Sequence, residues 1–175
     1  MFEILKQKCT DLSKILISKE RQEILQPLVD YIQTKVANNQ EVRLHFICTH
    51  NSRRSHLAQV WSQTMAFQFN IKNVFCYSGG TESTALFPKI VDTLKNQGFE
   101  IQQISSQSNP IYCIKFNENE QGIIGFSKLY SDAFNPQSEF AAILTCSQAD
   151  EGCPFILGAE KRIPITFDDP KEFDN

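Results

Sequence analysis

The sequence predicts an α/β fold on a largely parallel sheet, and three observations carry that prediction. Short apolar strand-like runs alternate with amphipathic helical periods through most of the chain. Two of the runs, VRLHFIC at 42–48 and AAILT at 141–145, read as buried strands. Cys48, Gly79 and Cys146 all fall where predicted strands end, and open α/β sheets bind their ligands beyond the carboxyl ends of the strands.

Taken in order, residues 10–38 read as helical, with Leu12, Ile15 and Leu16, then Ile24, Leu25, Leu28, Val29, Ile32 and Val36 at helical spacing. Pro27 and the polar run Ser18 to Gln22 divide this segment into two helices. It carries no evident chemistry and reads as a helical extension, lid or dimer contact over residues 1–40. The strand at 42–48 is followed by a polar loop and a helix from Ser55 to Phe69. Asn73 to Ser78 is a second strand, closed by Gly79-Gly80. Pro88 to Gln97 is a helix with Gly98 as its C-cap. Ile111 to Phe116 and Gly122 to Leu129 form a hairpin around 117–121, and Arg162 to Thr166 is a last strand.

Composition narrows the function classes. The chain has 175 residues, enough for one domain with its own core, and 41% hydrophobic residues with 21% charged are those of an ordinary globular protein. A net charge of -3 argues against nucleic acid as a partner. No apolar run approaches a membrane span, and Met1 to Lys8 show no secretory pattern, so a cytoplasmic location is expected. The six cysteines then read as reduced thiols. With no CxxC pair, and His45, His50 and His56 all close to Cys48 alone, no metal site is expected; no cofactor is expected either.

The chemistry concentrates in Cys48-Thr49-His50-Asn51-Ser52-Arg53-Arg54-Ser55. A loop between a strand and a helix N-terminus turns backbone N–H groups inward, where they and the helix dipole hold a tetrahedral oxyanion. Thr49, His50, Asn51, Ser52, Arg53 and Arg54 are thus the oxyanion-binding residues. Arg54 supplies a planar two-pronged fork. Arg53 is a surface or steering charge. The positive field favours the thiolate of Cys48, the expected nucleophile. Asn51 holds the loop's shape, and Ser55 can donate a hydrogen bond to the sulfur.

FICTHNSRRSHLAQ resembles the active-site loop of the low-molecular-weight tyrosine phosphatase superfamily, closest to its arsenate-reductase branch, and Tyr77-Ser78-Gly79-Gly80 is similar to that family's Tyr-Ser-Ala-Gly segment. The resemblance covers roughly residues 41–170. It implies a three-layer fold around a four-stranded, mainly parallel sheet over 41–175, with 108–138 an insertion carrying the hairpin. Cys146 and Cys153, seven apart with Pro154 after the second, match the two resolving cysteines of the thioredoxin-coupled arsenate reductases. A polar loop between them would have to move for each disulfide to form.

Asp169, directly before Pro170, stands where this superfamily carries its general acid, with Asp168 a loop carboxylate. The chain departs from the pattern at Gln59, where a glutamate of a cation site is more usual, and at Lys171-Glu172, where the phosphatases carry aromatic residues. It also leaves little length for the usual C-terminal helix, so either the sequence stops short or the N-terminal helices compensate. Two activities stay open. One is reduction of arsenate by Cys48, Cys146 and Cys153, with thioredoxin or a low-molecular-weight thiol as reductant. The other is hydrolysis of phosphate monoesters through a phosphocysteine at Cys48. A non-enzymatic oxyanion or redox sensor is a third reading.

Overall fold

The computed structural model of the protein describes residues 1–153 and 155–173. Two helices come first, α1 (Glu3–Leu12) and α2 (Lys19–Ala37), followed by β1 (Val42–Cys48), α3 (Arg54–Gln68), β2 (Val74–Gly80), α4 (Pro88–Gln97) and β3 (Glu100–Gln103). Then come β4 (Tyr112–Lys115), β5 (Ile123–Gly125), β6 (Phe140–Leu144), α5 (Ser147–Gly152), β7 (Ala159–Pro164) and a 3₁₀ turn at Pro170–Phe173.

The main sheet has the order β2-β1-β6-β7, and every pairing in it is parallel. Strand alternation sends Val42, Leu44 and Phe46 to one face, where they join Val74, Cys76, Ala141, Ile143 and Ile163 under α2 and α3. Ile47, Phe140, Ala142 and Leu144 point the other way, onto Ala149 of α5 and Tyr130. Helices thus cover both faces, as near-continuous apolar strands require.

A second core explains why α3 is apolar on more than one side. Val60, Leu57 and Trp61 of α3 pack away from the main sheet, against Leu5 of α1, Ile90, Val91 and Leu94 of α4, and Ile114 and Ile123. The expected hairpin is therefore part of a larger unit, an antiparallel sheet β3-β4-β5 whose first strand was not foreseen. EIQQ has three polar residues in four, and only pairing with β4 makes it a strand.

Three local expectations need correction. The first helix starts at Glu3 because Leu5 and Cys9 are buried and the Phe2 N–H reaches the Phe116 carbonyl at 2.9 Å. Pro27 lies inside α2 without breaking it. Its neighbours Leu25 and Leu28 pack on the sheet and Lys161 Nζ takes the Pro27 carbonyl at 3.2 Å, so tertiary contacts outweigh the lost helical bond. Finally, β2 runs through Gly79 and Gly80 instead of stopping before them. A Cβ at Gly80 would lie 2.7 Å from both the Asn51 nitrogen and the Thr49 carbonyl oxygen, so the sheet edge and the polar loop approach closely because this residue is glycine.

Candidate active site

Cys48 is the last residue of β1, and α3 begins at Arg54, so the polar loop bridges a central strand and a helix N-terminus. Asn51, at its middle, is fully buried with φ +46°, a left-handed conformation that asparagine tolerates better than most residues. Among the described residues, the N–H groups of Thr49, His50, Asn51 and Ser52 meet no protein acceptor. Unclaimed donors at a helix start are the physical make-up of an anion nest.

The side chains of the loop divide into two sets. Thr49 reaches across to Cys146 and Gln148, Ser52 donates to the Ala85 carbonyl at 2.6 Å, and the Arg53 guanidinium lies 3.9 Å above the Phe87 ring. The exposed His50 ring turns to Glu82, with Nε2 3.4 Å from its carboxylate. These four therefore offer the loop their backbone. Asn51 and Ser55 face inward. Lys128 N–H donates to Asn51 Oδ1 at 3.0 Å, Asn51 Nδ2 donates to Ser55 Oγ at 2.8 Å, and Ser55 Oγ lies 3.1 Å from Cys48 Sγ.

Sequence reasoning missed the residues that hold this loop from outside. Ser127 Oγ donates to the His50 carbonyl at 2.9 Å and accepts the Thr84 N–H, while Asn109 brackets Ser127 on both its backbone groups. The Lys128 carbonyl and Tyr130 N–H pair with Gly80, adding a parallel bridge at Leu129 to the β2 edge of the main sheet. Lys128 itself is buried, its Nζ donating to the Phe126 carbonyl and lying 4.3 Å from that ring's centroid. Burial brings its pKa down to about 8. His45 and His56 are buried beside it, and burial, with the Lys128 charge secondary, holds both pKa values near 3. No spacing rule marks these residues, because each acts across the fold.

Gln59 donates Nε2 to the Cys76 carbonyl at 3.1 Å, a contact a glutamate carboxylate cannot make. With Gln63, which bonds Val74 O and Cys76 N, it caps the outer edge of β2. Among the described residues, no group of three His, Cys, Asp or Glu side chains is set to hold a metal, and no helix is long and apolar enough to cross a membrane.

The other two cysteines lie in the same buried cluster as Cys48. Thr145 N–H and Oγ1 both bond the Ile47 carbonyl, which draws the end of β6 to the end of β1 and sets Cys146 beside the loop. Cys146 Sγ lies 3.5 Å from Thr49 Oγ1 and accepts the Ala149 N–H as the N-cap of α5. The segment after it is thus a six-residue helix where a polar loop was expected. Cys153 caps the other end, and burial raises its pKa although Arg162 opposes the shift. Pro154 lies outside the described residues.

Asp169 is brought to the loop from the end of the chain. Arg54 Nη1 donates to the Phe167 carbonyl at 3.0 Å and Nη2 pairs with Asp169 Oδ2 at 3.3 Å, whereas Asp168 is exposed. Candidate nucleophile, fork, acid and both further cysteines therefore converge at the carboxyl end of the sheet.

Comparison with known proteins agrees with this geometry. The low molecular weight phosphotyrosine protein phosphatase family matches residues 43–117. A protein of Staphylococcus aureus (strain Newman) named arsenate reductase is 30% identical over 128 residues, covering 73% of this chain and 77% of that one. The chain belongs to the low-molecular-weight phosphotyrosine protein phosphatase superfamily, among the arsenate reductases. An "Arsenate reductase 2" of Staphylococcus epidermidis is 29% identical and one of Staphylococcus haemolyticus 28%, each over the same 73% of this chain and 77% of its own length.

Proposed function

We propose that this protein is a thiol-dependent arsenate reductase that uses Cys48 as nucleophile and Cys146 and Cys153 as a disulfide relay. The observation that carries the reading is the gathering of these three thiols in one buried cluster beside an oxyanion nest. Residues 41–175 form the catalytic unit in this reading, and residues 1–40 a helical extension.

In the first step Cys48 Sγ attacks arsenic(V), an S–As bond forms and an As–O bond breaks. Asp169 gives its proton to the departing oxygen, which leaves as water. Backbone N–H groups of 49–54 and the Arg54 fork hold the remaining oxygens. Next, Cys146 attacks Cys48 Sγ. The S–S bond forms, the S–As bond breaks, and its electron pair stays on arsenic, which leaves as arsenite. Cys153 then attacks Cys146 Sγ and frees the Cys48 thiolate. The Cys146–Cys153 disulfide is returned to thiols by thioredoxin or a low-molecular-weight thiol, in keeping with a reducing cytoplasm.

The helix between the resolving cysteines sets a condition. At a rise of about 1.5 Å per residue, its two caps are separated by roughly 10 Å, beyond the ~7 Å a disulfide spans. Helix α5 must unwind during the third step. The second reading, phosphate-ester hydrolysis through a Cys48 phosphocysteine, is favoured by the family match over 43–117, which contains Cys48 and Arg54 but neither resolving cysteine.

The test is NADPH consumption with arsenate, thioredoxin and thioredoxin reductase. Turnover by the wild type and its loss in Cys48→Ser, Cys146→Ser and Cys153→Ser are expected. No turnover by the wild type, together with p-nitrophenyl phosphate hydrolysis that needs Cys48 alone, would leave the phosphatase reading standing in its place.

A further inference from the structure

Helix α2 is docked on β7. Its Tyr31 hydroxyl donates to Glu160 at 2.8 Å, Lys35 Nζ pairs with the same carboxylate at 2.7 Å, and Lys161 Nζ holds the Pro27 carbonyl. These contacts run α2 antiparallel to β7. Its first turn, capped by Ser18, therefore lies at the carboxyl end of the sheet, where the candidate acid sits. Arg21 in that turn donates Nη1 to the Thr166 carbonyl at 3.1 Å, and its guanidinium carbon lies 4.5 Å from the Phe167 ring centroid.

The segment Thr166 to Asp169 is therefore gripped from two sides. Arg54 takes the Phe167 carbonyl and the Asp169 carboxylate, while Arg21 takes the Thr166 carbonyl and the Phe167 ring. Among the described residues, one further backbone bond, Phe167 N–H to the Thr145 carbonyl at 3.2 Å, ties the segment down before Asp169. Arg54 is also the fork for the oxyanion. When its N–H groups turn to substrate oxygens, they release the segment at the step that needs the acid in place. Arg21 has no such second duty, and its helix is anchored independently of the oxyanion loop.

We propose that Arg21 is a positioning residue for Asp169, so that the N-terminal helices act as a strap on the acid segment. The proposal rests on the reading of Asp169 as general acid. A positioned acid contributes roughly 10²–10⁴-fold to such a step, and loosening it forfeits part of that. The acid's contribution arises in the transition state, so loosening it lowers the rate at saturating arsenate and leaves the half-saturating concentration nearly unchanged.

The experiment uses the full chain, reduced and mixed with arsenate without added reductant, and follows loss of free thiols in one turnover. Four proteins form a cycle with the wild type: Arg21→Ala, Arg21→Lys, Asp169→Asn and Arg21→Ala/Asp169→Asn. The expected result is that Arg21→Ala slows the saturated rate about ten-fold in the wild-type background and less than about two-fold in the Asp169→Asn background. Arg21→Lys, which keeps a cation and a donor, should recover most of the loss. A merely structural Arg21 would slow both backgrounds alike, and that outcome, or no slowing in either, overturns the proposal. If Asp169→Asn itself leaves the rate unchanged, the acid assignment fails, and the proposal with it. If the wild type consumes no thiols with arsenate, the reductase reading fails. The same cycle is then read on Cys48-dependent hydrolysis of phenyl phosphate, whose poor leaving group needs the acid.

Discussion

Ser55 Oγ lies 3.1 Å from Cys48 Sγ while accepting a hydrogen bond from Asn51 Nδ2 at 2.8 Å. Either atom of this pair can be the donor when Cys48 is a thiol, but a Cys48 thiolate can only accept, from the Ser55 hydroxyl. Because Asn51 occupies a lone pair of the hydroxyl, the Ser55 hydrogen is free to point at sulfur. Lys128 N–H fixes the Asn51 amide from the other end, so the donor direction is set by a residue 77 positions away.

That chain of bonds makes Ser55→Ala informative. A hydrogen bond to a charged partner is worth about 1.5–3 kcal/mol, so Cys48 should react roughly 10- to 100-fold more slowly. Alkylation by iodoacetamide at pH 7, in a Cys146→Ser/Cys153→Ser background, measures it. An unchanged rate would show that the serine does not serve the thiolate.

Arg54→Lys tests the fork. Lysine keeps the charge but loses the planar pair of donors that now spans Phe167 and Asp169. Turnover should fall by about 100-fold or more with the fold intact, as judged by thermal unfolding. Near-wild-type kinetics would remove the fork from the mechanism.

His45 gives a pH signature. It is fully buried, neither ring nitrogen has a hydrogen-bond partner among the described residues, and its pKa falls from 6.5 to about 3 because burial opposes the charge. A depressed histidine binds fewer protons folded than unfolded between these values. Its contribution to stability is therefore complete above pH 6.5 and is lost as pH falls toward 3, at about 1.4 kcal/mol per pH unit. His56, lowered the same way, doubles the slope. In urea titrations from pH 7 to 4, His45→Leu should remove about half of this histidine contribution.

Oxidation should melt α5. The Cys146–Cys153 disulfide is incompatible with caps roughly 10 Å apart. Amide hydrogen exchange is expected to show 147–152 losing protection when that bond forms, while β1 and β6 keep theirs. Retained protection in the oxidised protein would mean that the resolving thiols do not pair with each other.

The alternating apolar runs, the position of Cys48 before a helix, and the Cys146/Cys153 spacing were legible in the sequence. All three are local, since burial of a parallel strand and the start of a helix write themselves into adjacent residues. Asp169 and Arg54 were legible as residue types at fixed offsets, through resemblance rather than through contact. What needed the tertiary structure was every relationship that closes over distance. A polar EIQQ becomes a strand only by pairing with β4, and Pro27 stays helical only because α2 packs on the sheet. The apparently mobile segment after Cys146 is a helix because Ala149 packs beneath it and the Cys146 sulfur caps it. Ser127, Lys128 and Arg21 reach the site through backbone carbonyls and an amide, which any residue type supplies, so no composition or period could announce them. The sequence by itself determined the chemistry brought to the sheet's end; only the folded chain decided what holds that chemistry in place, because positioning depends on contacts between residues far apart along the chain.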